Sequence, residues 1–593
     1  MTFTIKLLQN LYPNYAFETD ILLFNNFQNI QVLENCERVV RLTCQYSKIQ
    51  QFNIQKHFEY LREVYISESS ITKIDINADL LILHVTNCNL RDFDFASKYQ
   101  NLTVLNISNN DLAMVTAQGI FNLLVNLTEL KANSCNLVDL SIFLDIEQNN
   151  IFPHLNLIDL TSNEHIQLQG IQQCNNLTKI DVCRCGLRNL KYIQNISTLK
   201  YLNACYNELS DISMIGTLIN LEYLDISFNQ KLGSVAALLP LTKIIQLQLN
   251  QISAPSLNGI QNMIELIHLS AFSNQITHVD ELINATKLKN LNLCLNQIQN
   301  VNGLQNALNI EILQLNNNQL LSFAGMPQYS KLSQFSAFGN SNLKNCIGLG
   351  NQPYLENLNL SKLESLDGIE NLHALTKAYI NYNRLKSINQ LIYCKYIQEL
   401  HVQDNELTSL DGVQSLFNLT VLIANHNQLT SIVEISKLPL LKELVLNNNN
   451  ICSLNGIQNL LSLKSLEVGN NKISNLMYLQ NLKQLIFLNL DNNNLSDIRQ
   501  LLFLKEIDSL KNIWLTERQQ FFSKGANKIC EIPNFVQYVI LILPQIESYC
   551  YEADYDRGAR YYSYQITVEE RNQGKQLIIP QLTEQIIQQL QEQ

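Results

Sequence analysis

Few residues in this 593-residue chain have the types and the spacing that catalysis or metal binding requires. The closest candidate is Cys183-Arg184-Cys185, because two thiolates could ligate one metal ion. In the repeat frame described below, Cys183 faces solvent and Cys185 faces a turn, so we expect no shared metal. The nine His are dispersed, and no phosphate-binding, dinucleotide-binding, zinc-protease or serine-hydrolase motif occurs. The sequence therefore predicts a non-enzyme without a metal site or a cofactor.

Aromatic residues recur at a constant spacing near the middle of the chain. Tyr201 and Tyr223 are 22 residues apart, and so are Tyr206 and Phe228. Protein interfaces favour Tyr, Phe and Arg as anchors, so a fold that stacks these positions would form a binding patch with a polar rim. The alternative is that stacked aromatic residues only stabilise neighbouring strands. The candidate partner-binding residues are Arg184, Tyr201, Tyr206, Tyr223, Phe228, Ile244, Leu249, His268 and Phe272.

The spacing of these residues follows an internal repeat. LKELVLNNNNI from Leu441, LKSLEVGNNKI from Leu463 and LIFLNLDNNNL from Leu485 share the frame L-x-x-L-x-L-x-x-N-x-L/I, in which the first Leu is position one. Most steps between units are 22 residues, and there are about twenty-one units. The other units start at Val39, Leu61, Leu80, Leu102, Leu127, Leu155, Leu177, Leu199, Leu221, Thr242, Leu266, Leu288, Ile310, Leu332, Leu355, Leu375, Ile397 and Leu419.

The frame resembles the leucine-rich repeat, and this resemblance covers about four fifths of the chain. The rest of each unit is similar to the 22-residue class shared by a regulatory subunit of a protein phosphatase and by bacterial internalins. The resemblance implies an α/β solenoid, a horseshoe or arc with a parallel β-sheet on its concave face. Short 3₁₀ or helical turns are expected on the convex face.

Elementary geometry leads to the same architecture. Leu444 and Leu446 are two residues apart, so both side chains lie on one face of a strand. Ile451, Leu454 and Ile457 are three apart, which suits a 3₁₀ turn with one apolar stripe. A single unit cannot bury these residues alone, but units stacked in register can. The repeats therefore predict a solenoid with a parallel sheet along one side.

Asn at position nine follows the strand, where the backbone turns. Its amide can both donate and accept hydrogen bonds inside that turn, so we expect an inward ladder rather than a polar binding surface. Asn292, at position five, is expected to be exposed. Cys88, Cys135 and Cys185 replace the ladder residue in early units, and a thiol should fit less well. The predicted ladder is Asn207, Asn229, Asn250, Asn274, Asn296, Asn318, Asn340, Asn383, Asn405, Asn427, Asn449, Asn471 and Asn493.

The repeat frame also divides the chain into segments. Residues 1–38 are apolar enough for an N-terminal cap, and 39–509 form the predicted solenoid. A last strand and Asn527-Lys-Ile-Cys530 begin a C-terminal cap, 510–550, that resembles the cap of phosphatase-regulatory repeats, although Lys528 replaces its Pro. Residues 551–593 form a tail rich in Tyr and Gln, in which Pro580 could start a short helix.

Charge and composition restrict the partners. There are 41 Lys and Arg against 52 Asp and Glu, a net charge of −11, which disfavours nucleic acid and anionic membranes. No apolar stretch is long enough for a membrane span, and the start lacks the core of a signal peptide. The fourteen scattered Cys suggest reduced thiols in the cytoplasm. Cys183 and Cys205, at position seven of adjacent units, are expected to be free and accessible to solvent.

The leading functional hypothesis is therefore a non-catalytic scaffold that binds a partner protein on the concave face, with no small-molecule substrate. A regulatory subunit of a protein phosphatase is the alternative that the repeat class suggests. The third hypothesis, an enzyme, would require a site in the irregular chain ends. Identification of captured proteins would separate the first two hypotheses, whereas a convergent polar pocket within 551–593 would favour the third.

Overall fold

In the computed structural model, the chain forms two compact units, Met1–Asn296 (unit 1) and Gln297–Gln593 (unit 2). The structure describes residues 20–23, 38–113, 123–140, 152–350, 352–515, 527–533, 535–554, 560–567, 569 and 572. Each unit is built on parallel strands that pair in register with the next repeat. This is the leucine-rich repeat solenoid arrangement that the sequence predicts.

Unit 1 contains fifteen strands among its described residues. All but two belong to one sheet, in which each strand pairs in parallel with the strand of the adjoining repeat, as Leu202 pairs with Leu224. The strands are β1 (Asp20–Leu23), β2 (Arg41–Gln45), β3 (Gln51–Phe58), β4 (Glu63–Ser67), β5 (Lys73–Ala78), β6 (Ile82–Thr86), β7 (Val104–Asn106), β8 (Glu129–Lys131), β9 (Leu157–Asp159), β10 (Lys179–Asp181), β11 (Tyr201–Asn203), β12 (Tyr223–Asp225), β13 (Gln246–Gln248), β14 (His268–Ser270) and β15 (Asn290–Asn292).

Unit 2 continues the same pattern and ends in a hairpin. The last two strands pair antiparallel, whereas the ten before them pair parallel. The strands are β16 (Ile312–Gln314), β17 (Gln334–Ala337), β18 (Asn357–Leu360), β19 (Lys377–Tyr379), β20 (Glu399–His401), β21 (Val421–Ile423), β22 (Glu443–Val445), β23 (Ser465–Glu467), β24 (Phe487–Asn489), β25 (Asn512–Trp514), β26 (Ser548–Asp554) and β27 (Arg560–Gln565).

Short helical turns connect many of the strands, because the apolar residues after each strand are spaced by three. Ile451, Leu454 and Ile457 are all fully buried, as are Leu444 and Leu446 of the same repeat. The core thus lies between the sheet and the turns. The 3₁₀ helices are Ile171–Gln173, Lys191–Ile193, Ser213–Thr217, Ala236–Leu238 and Asp280–Leu282 in unit 1, and Asn302–Leu304, Asn389–Tyr393, Val413–Ser415, Val433–Lys437, Ile457–Asn459, Met477–Leu479, Ile498–Leu504 and Lys528–Glu531 in unit 2.

The first repeats depart from the expected helical turns. Strands β3 and β5 pair parallel with each other in a separate two-stranded sheet. Their residues alternate in burial, with Phe52, Ile54, Ile74 and Ile76 inward. A period of two with β-branched residues favours a strand over a 3₁₀ turn, which explains the difference. A single short α-helix, α1 (Phe95–Lys98), follows in the next repeat.

Asn side chains at position nine point into the turns. Asn449 Nδ2 donates to the carbonyls of Ala424 and Leu446, each at 3.0 Å, and its Oδ1 accepts from Leu429 N at 3.0 Å. The side chain therefore joins two successive repeats through buried main-chain groups. Corresponding bonds are made by Asn207, Asn229, Asn274, Asn296, Asn318, Asn340, Asn383, Asn405, Asn427, Asn471 and Asn493.

Three further Asn belong to this ladder, although the sequence prediction omitted them. Asn110 and Asn163 occupy position nine of their repeats and make the same bonds. The prediction considered only the two longest runs and therefore passed over these isolated members. Asn527 is the third, and it lies in the C-terminal cap.

Two of the three Cys at position nine keep part of the hydrogen bonding of the Asn ladder. Cys135 Sγ donates to the carbonyl of Ile107 and Cys185 Sγ to that of Leu160, both at 3.2 Å. These are the position-six carbonyls of the preceding repeats, which an Asn Nδ2 would otherwise contact. Burial raises the pKa of Cys135 to about 11 and that of Cys185 to about 12, so both donate as neutral thiols. Each thiol keeps the contact with the preceding repeat and a longer one with the carbonyl two residues before it, but it loses the acceptor.

The repeat predicted to start at Thr242 starts two residues later. Gln246 pairs with Tyr223 and Leu247 with Leu224, so the frame begins at Ile244. Ile244 and Leu249 are consequently core residues, fully buried rather than on the sheet surface. The sequence prediction is wrong for both, because this repeat follows a step of 23 residues from Leu221 instead of 22.

The same shift removes Asn250 from the ladder. It occupies position seven, and Ile252 is the buried residue at position nine. Asn250 Oδ1 accepts from Ser270 Oγ at 2.7 Å and from Phe272 N at 3.0 Å. Asn250 is thus buried and hydrogen-bonded, but its side chain bonds to the neighbouring repeat on the sheet surface and not inside the turn.

The C-terminal end of unit 2 closes with a helix and the hairpin. Helix α2 (Phe535–Ile542) buries Phe535, Val539 and Ile540. Strand β26 pairs with β25 on one side and β27 on the other, and it runs through the predicted boundary at residue 550. At the other end, β1 pairs with β2. The remainder of the predicted N-terminal cap and the predicted helix after Pro580 lie outside the described residues.

Candidate functional site

Two columns of aromatic rings stand on the solvent face of the sheet in unit 1. Tyr201 and Tyr223, at position three, stack with centroids 4.1 Å apart and planes 9° apart. Tyr206 and Phe228, at position eight, stack at 4.0 Å and 8°. The parallel register of β11 and β12 produces both contacts, because it places equivalent residues side by side. The structure therefore brings together the four aromatic residues that the 22-residue spacing selects.

A cation covers the first ring of each column. Lys179 Nζ lies 4.3 Å from the centroid of Tyr201, and Arg184 Cζ lies 4.8 Å from that of Tyr206. Both cations belong to the preceding repeat, at positions three and eight. Such contacts stabilise the rings by about 0.5–1 kcal/mol at exposed sites. The sequence prediction included Arg184 but missed Lys179, which continues the position-three column by one repeat.

Position eight has a left-handed backbone conformation in repeat after repeat, including those that place Leu295 and Tyr382 there. Tyr206 has φ of 53° and Phe228 has φ of 60°, the left-handed region that bulky residues rarely adopt. Several other repeats place Asn there, for example Asn448 with φ of 56°. Asn tolerates this region better than an aromatic residue does. Aromatic side chains at position eight therefore carry a conformational cost that Asn would reduce.

A polar strip with two carboxylates separates the two columns. Asp181, Asn203 and Asp225 occupy position five of successive repeats and are half-buried. Asn203 Nδ2 donates to Asp181 Oδ2 at 3.0 Å, and Ser227 N donates to Asp225 Oδ1 at 2.9 Å. Within the described part of the chain, neither carboxylate forms an ion pair. Burial raises the pKa of Asp225, and the nearby charge of Asp181 adds to that shift.

The expected accessible thiols are buried in the same region. Cys183 is 9% exposed and Cys205 is 8% exposed, and their Sγ atoms lie 2.7 Å apart. The small position-seven side chains are screened because long side chains at positions three and eight flank them. The hydrogen bond between the sulfurs lowers the pKa of Cys183 and raises that of Cys205. Both remain free thiols, as predicted, but the prediction of solvent access is wrong.

The remaining predicted residues extend the site unevenly. Phe272 is at position seven of its repeat, and its ring lies 6.3 Å from that of Phe228 in an edge arrangement, so it contacts the position-eight column without belonging to it. His268 pairs with Gln246, and that strand separates it from Tyr223. Asn292, expected to be exposed, is half-buried, and its Oδ1 accepts from Cys294 N at 3.1 Å. With Ile244 and Leu249 in the core, the repeat of β13 adds no predicted residue to the patch, and only Phe272 reaches Phe228 from beyond it.

The position-five strip is the feature that sequence reasoning missed. Its signal was available, since Asp181, Asn203 and Asp225 are each 22 residues apart. The prediction placed position five on the concave face but drew its candidates mainly from positions three and eight, and the carboxylates were passed over because no spacing specified a pair. The described residues bring no three His, Cys, Asp or Glu close enough to hold a metal ion. Nor do they include a helix that is long and apolar enough to span a membrane.

Comparison with known proteins agrees with the repeat. The family model described as Leucine Rich repeats (2 copies) matches residues 197–240 and 417–459, one segment in each unit. Together with the periodic strands and buried leucines, this match supports a leucine-rich repeat protein. The first segment contains Tyr201, Tyr206, Tyr223 and Phe228, so the aromatic columns lie on two regular repeats. No curated protein matches the sequence.

Several solved structures are similar to this chain. A leucine-rich repeat protein of Leptospira interrogans is 23% identical, with a TM-score of 0.49, over 71% of this chain and 97% of that one. An internalin of Listeria monocytogenes is 20% identical, with a TM-score of 0.33, over 66% and 87%. A plant peptide hormone receptor, RGFR1 in complex with RGF2, is 17% identical, with a TM-score of 0.46, over 84% and 92%.

Proposed function

We propose that this protein is a non-catalytic scaffold that binds a partner protein on the sheet surface of unit 1, through the two aromatic columns. The carrying observation is the pairing of stacked rings at positions three and eight, Tyr201 with Tyr223 and Tyr206 with Phe228. Aromatic side chains with an apolar body and a polar tip are frequent anchors of protein interfaces.

The backbone supports binding over simple stacking. Stacking alone stabilises a strand pair by about 0.5–1.5 kcal/mol, while left-handed φ at a bulky residue costs about 1–2 kcal/mol. Tyr206 and Phe228 therefore gain little for the fold, whereas Asn448 occupies the equivalent position at lower cost. Tyr206 is also 43% exposed, although a single exposed ring would not by itself require a role. A partner that covers the rings would offset this cost.

The polar strip favours a particular kind of partner. Asp181 and Asp225 lie between apolar ring columns without an ion-pair partner in the described structure, and low-dielectric walls concentrate their field. A basic side chain on an extended partner segment fits this strip, and its charge would relieve the burial of Asp225. Binding should therefore weaken as the salt concentration rises.

Capture of partners from a cell lysate, analysed by mass spectrometry, tests this proposal. The test variant is Tyr206→Asn with Phe228→Asn, because Asn suits the left-handed conformation and the fold should be preserved. The control is Tyr396→Ala with Phe417→Ala, which removes two exposed rings, at 61% and 55%, that lie outside the strands. We expect the test variant to lose a partner that both the wild type and the control retain, at an unchanged melting temperature.

Retention of every partner by the test variant, together with a lowered melting temperature, would show that the columns are only structural. A protein phosphatase catalytic subunit among the partners that depend on the columns would favour the regulatory alternative. The wild-type chain should be analysed at low and at physiological salt, since a salt-insensitive partner would argue against the acidic strip.

A further inference from the structure

A cavity opens on the sheet surface of unit 2, far in sequence from the aromatic columns. Four adjacent strands, β16 to β19, align Gln314, Ser336, Asn359 and Tyr379 side by side at position five. Ser336 is the shortest of the four, and larger side chains stand on both sides of it. The resulting cavity has a volume of about 270 Å³. This size accommodates a single sugar ring or a similar small group.

The eleven residues lining this cavity are all uncharged. Asn316 Oδ1 is already occupied, because it accepts from Ser336 Oγ and from Phe338 N. Asn359 Oδ1 is different: it is buried and has no hydrogen-bond partner. A buried acceptor without a donor is unfavourable, so a ligand that donates a hydrogen bond here is favoured. The polar groups lining the cavity come from Gln314, Asn316, Gln334, Ser336, Asn357 and Asn359.

Tyr379 forms a fixed aromatic wall of the cavity. Its hydroxyl donates to Glu399 Oε1 at 2.9 Å, and the same oxygen lies 2.9 Å from His401 Nε2. Lys377 Nζ is 3.1 Å from the other oxygen of that carboxylate. The imidazole of His401 lies 4.7 Å from the phenol ring between centroids. Contacts on the carboxylate and on the ring thus hold the aromatic wall in place before any ligand arrives.

We propose that this cavity binds a neutral pyranose. A charged ligand would find no counter-charge in the lining, and an apolar ligand would leave the amides without partners. A pyranose supplies hydroxyl donors for Asn359 Oδ1 and presents a C–H face that can pack on Tyr379. A ring also matches a cavity confined to four strands, whereas an extended peptide would run beyond it. The sugar is bound and not converted, and this site is independent of the columns in unit 1.

Saturation-transfer NMR on the full chain tests the proposal, with the methyl pyranosides of glucose, galactose, mannose and N-acetylglucosamine as probes. We expect saturation transfer to the ring protons of at least one probe. Ser336→Leu should abolish it by filling the cavity. Asn359→Leu should weaken binding by about tenfold, because it removes the buried acceptor while keeping the volume. Asn359→Leu should leave the melting temperature equal or higher, since an unpaired buried acceptor is lost.

Ser270→Leu is the matched control in unit 1. Ser270 also occupies position five, and its Oγ donates to Asn250 Oδ1 just as Ser336 Oγ donates to Asn316 Oδ1. This variant should retain the sugar signal. The proposal is overturned if the folded wild type transfers no saturation to any of the four probes, or if Ser336→Leu and Asn359→Leu both keep the signal. Stronger transfer to N-acetylglycine methylamide than to every pyranoside would also overturn it, and would assign the cavity to peptide amides.

Discussion

Asn527 Oδ1 accepts a hydrogen bond from Leu495 N at 3.2 Å, across 32 residues of sequence. Its Nδ2 donates to the carbonyls of Leu490 and Leu515, at 2.8 and 3.0 Å, and the side chain is fully buried. The C-terminal cap therefore supplies the last member of the Asn ladder. An end repeat without such a residue would leave buried main-chain groups unpaired, which is costly in a solenoid.

Removal of one ladder amide should lower stability substantially. Asn449→Ala leaves Leu429 N and the carbonyls of Ala424 and Leu446 without their side-chain partner, and all three contacts are buried. We expect a loss of about 1–3 kcal/mol in the free energy of unfolding. Denaturant unfolding followed by circular dichroism measures it.

Asn459→Ala provides the control for that measurement. Asn459 is exposed, and its Nδ2 makes only a 3.4 Å contact with the carbonyl of Ser436. This substitution should cost under about 0.5 kcal/mol. Equal losses for the two variants would contradict the inward role of position nine.

The regular repeats could be read from the sequence because one physical signal recurs in each of them. Leu at positions one, four and six must be buried together, so the register of β11 against β12 follows from the 22-residue step. The stacks of Tyr201 on Tyr223 and Tyr206 on Phe228 follow from that register. Wherever the step stays constant, the residues that lie side by side on neighbouring strands can be predicted.

Prediction failed where this regularity is broken. One additional residue before Ile244 moves Ile244 and Leu249 into the core, because a shift of frame changes which side chains face inward. The burial of Cys183 and Cys205 depends on the sizes of neighbouring side chains, which the repeat frame does not specify. The cavity beside Ser336 has the same origin, since it results from one small residue between larger ones.

A close contact between repeats makes Gly259 irreplaceable. Its φ is +124°, and a Cβ there would lie 2.1 Å from the carbonyl oxygen of Val235. Gly259→Ala must displace the neighbouring backbone, so we expect a loss beyond about 3 kcal/mol. Gly233 has φ of +67°, and a Cβ there would meet no atom within 4 Å. Gly233→Ala should therefore cost only about 1–2 kcal/mol, for its left-handed conformation. Thermal melts measure the melting temperature of each variant against the wild type. Equal decreases for the two variants would contradict the steric explanation.

Alkylation should distinguish the buried Cys183 and Cys205 from the exposed Cys452. Cys452 is exposed, whereas Cys183 and Cys205 are screened from solvent and bonded to each other. Iodoacetamide applied to the native protein should modify Cys452 first and the pair only after denaturation, as mass spectrometry of the peptides would show. Rapid modification of Cys205 in the native state would contradict its burial and would support the solvent access that the sequence predicted. The control is Cys452→Ser, which should lack the rapid modification that is assigned to Cys452.

The acidic strip should make stability depend on pH in a specific direction. Burial raises the pKa of Asp225 above its value in the unfolded chain, so its contribution to stability is present below about pH 4 and is lost as pH rises through the folded pKa. Asp225→Asn should therefore raise the melting temperature at pH 7 and have little effect near pH 3. Asp211→Asn should behave oppositely, since hydrogen bonds from Ser213 N and Oγ lower the pKa of Asp211. That variant should lose stability at pH 7 and match the wild type in acid. Melting curves of the wild type and the two variants from pH 3 to pH 7 test this prediction. If both substitutions shift the melting temperature in the same direction at pH 7, Asp225 does not carry an unpaired charge.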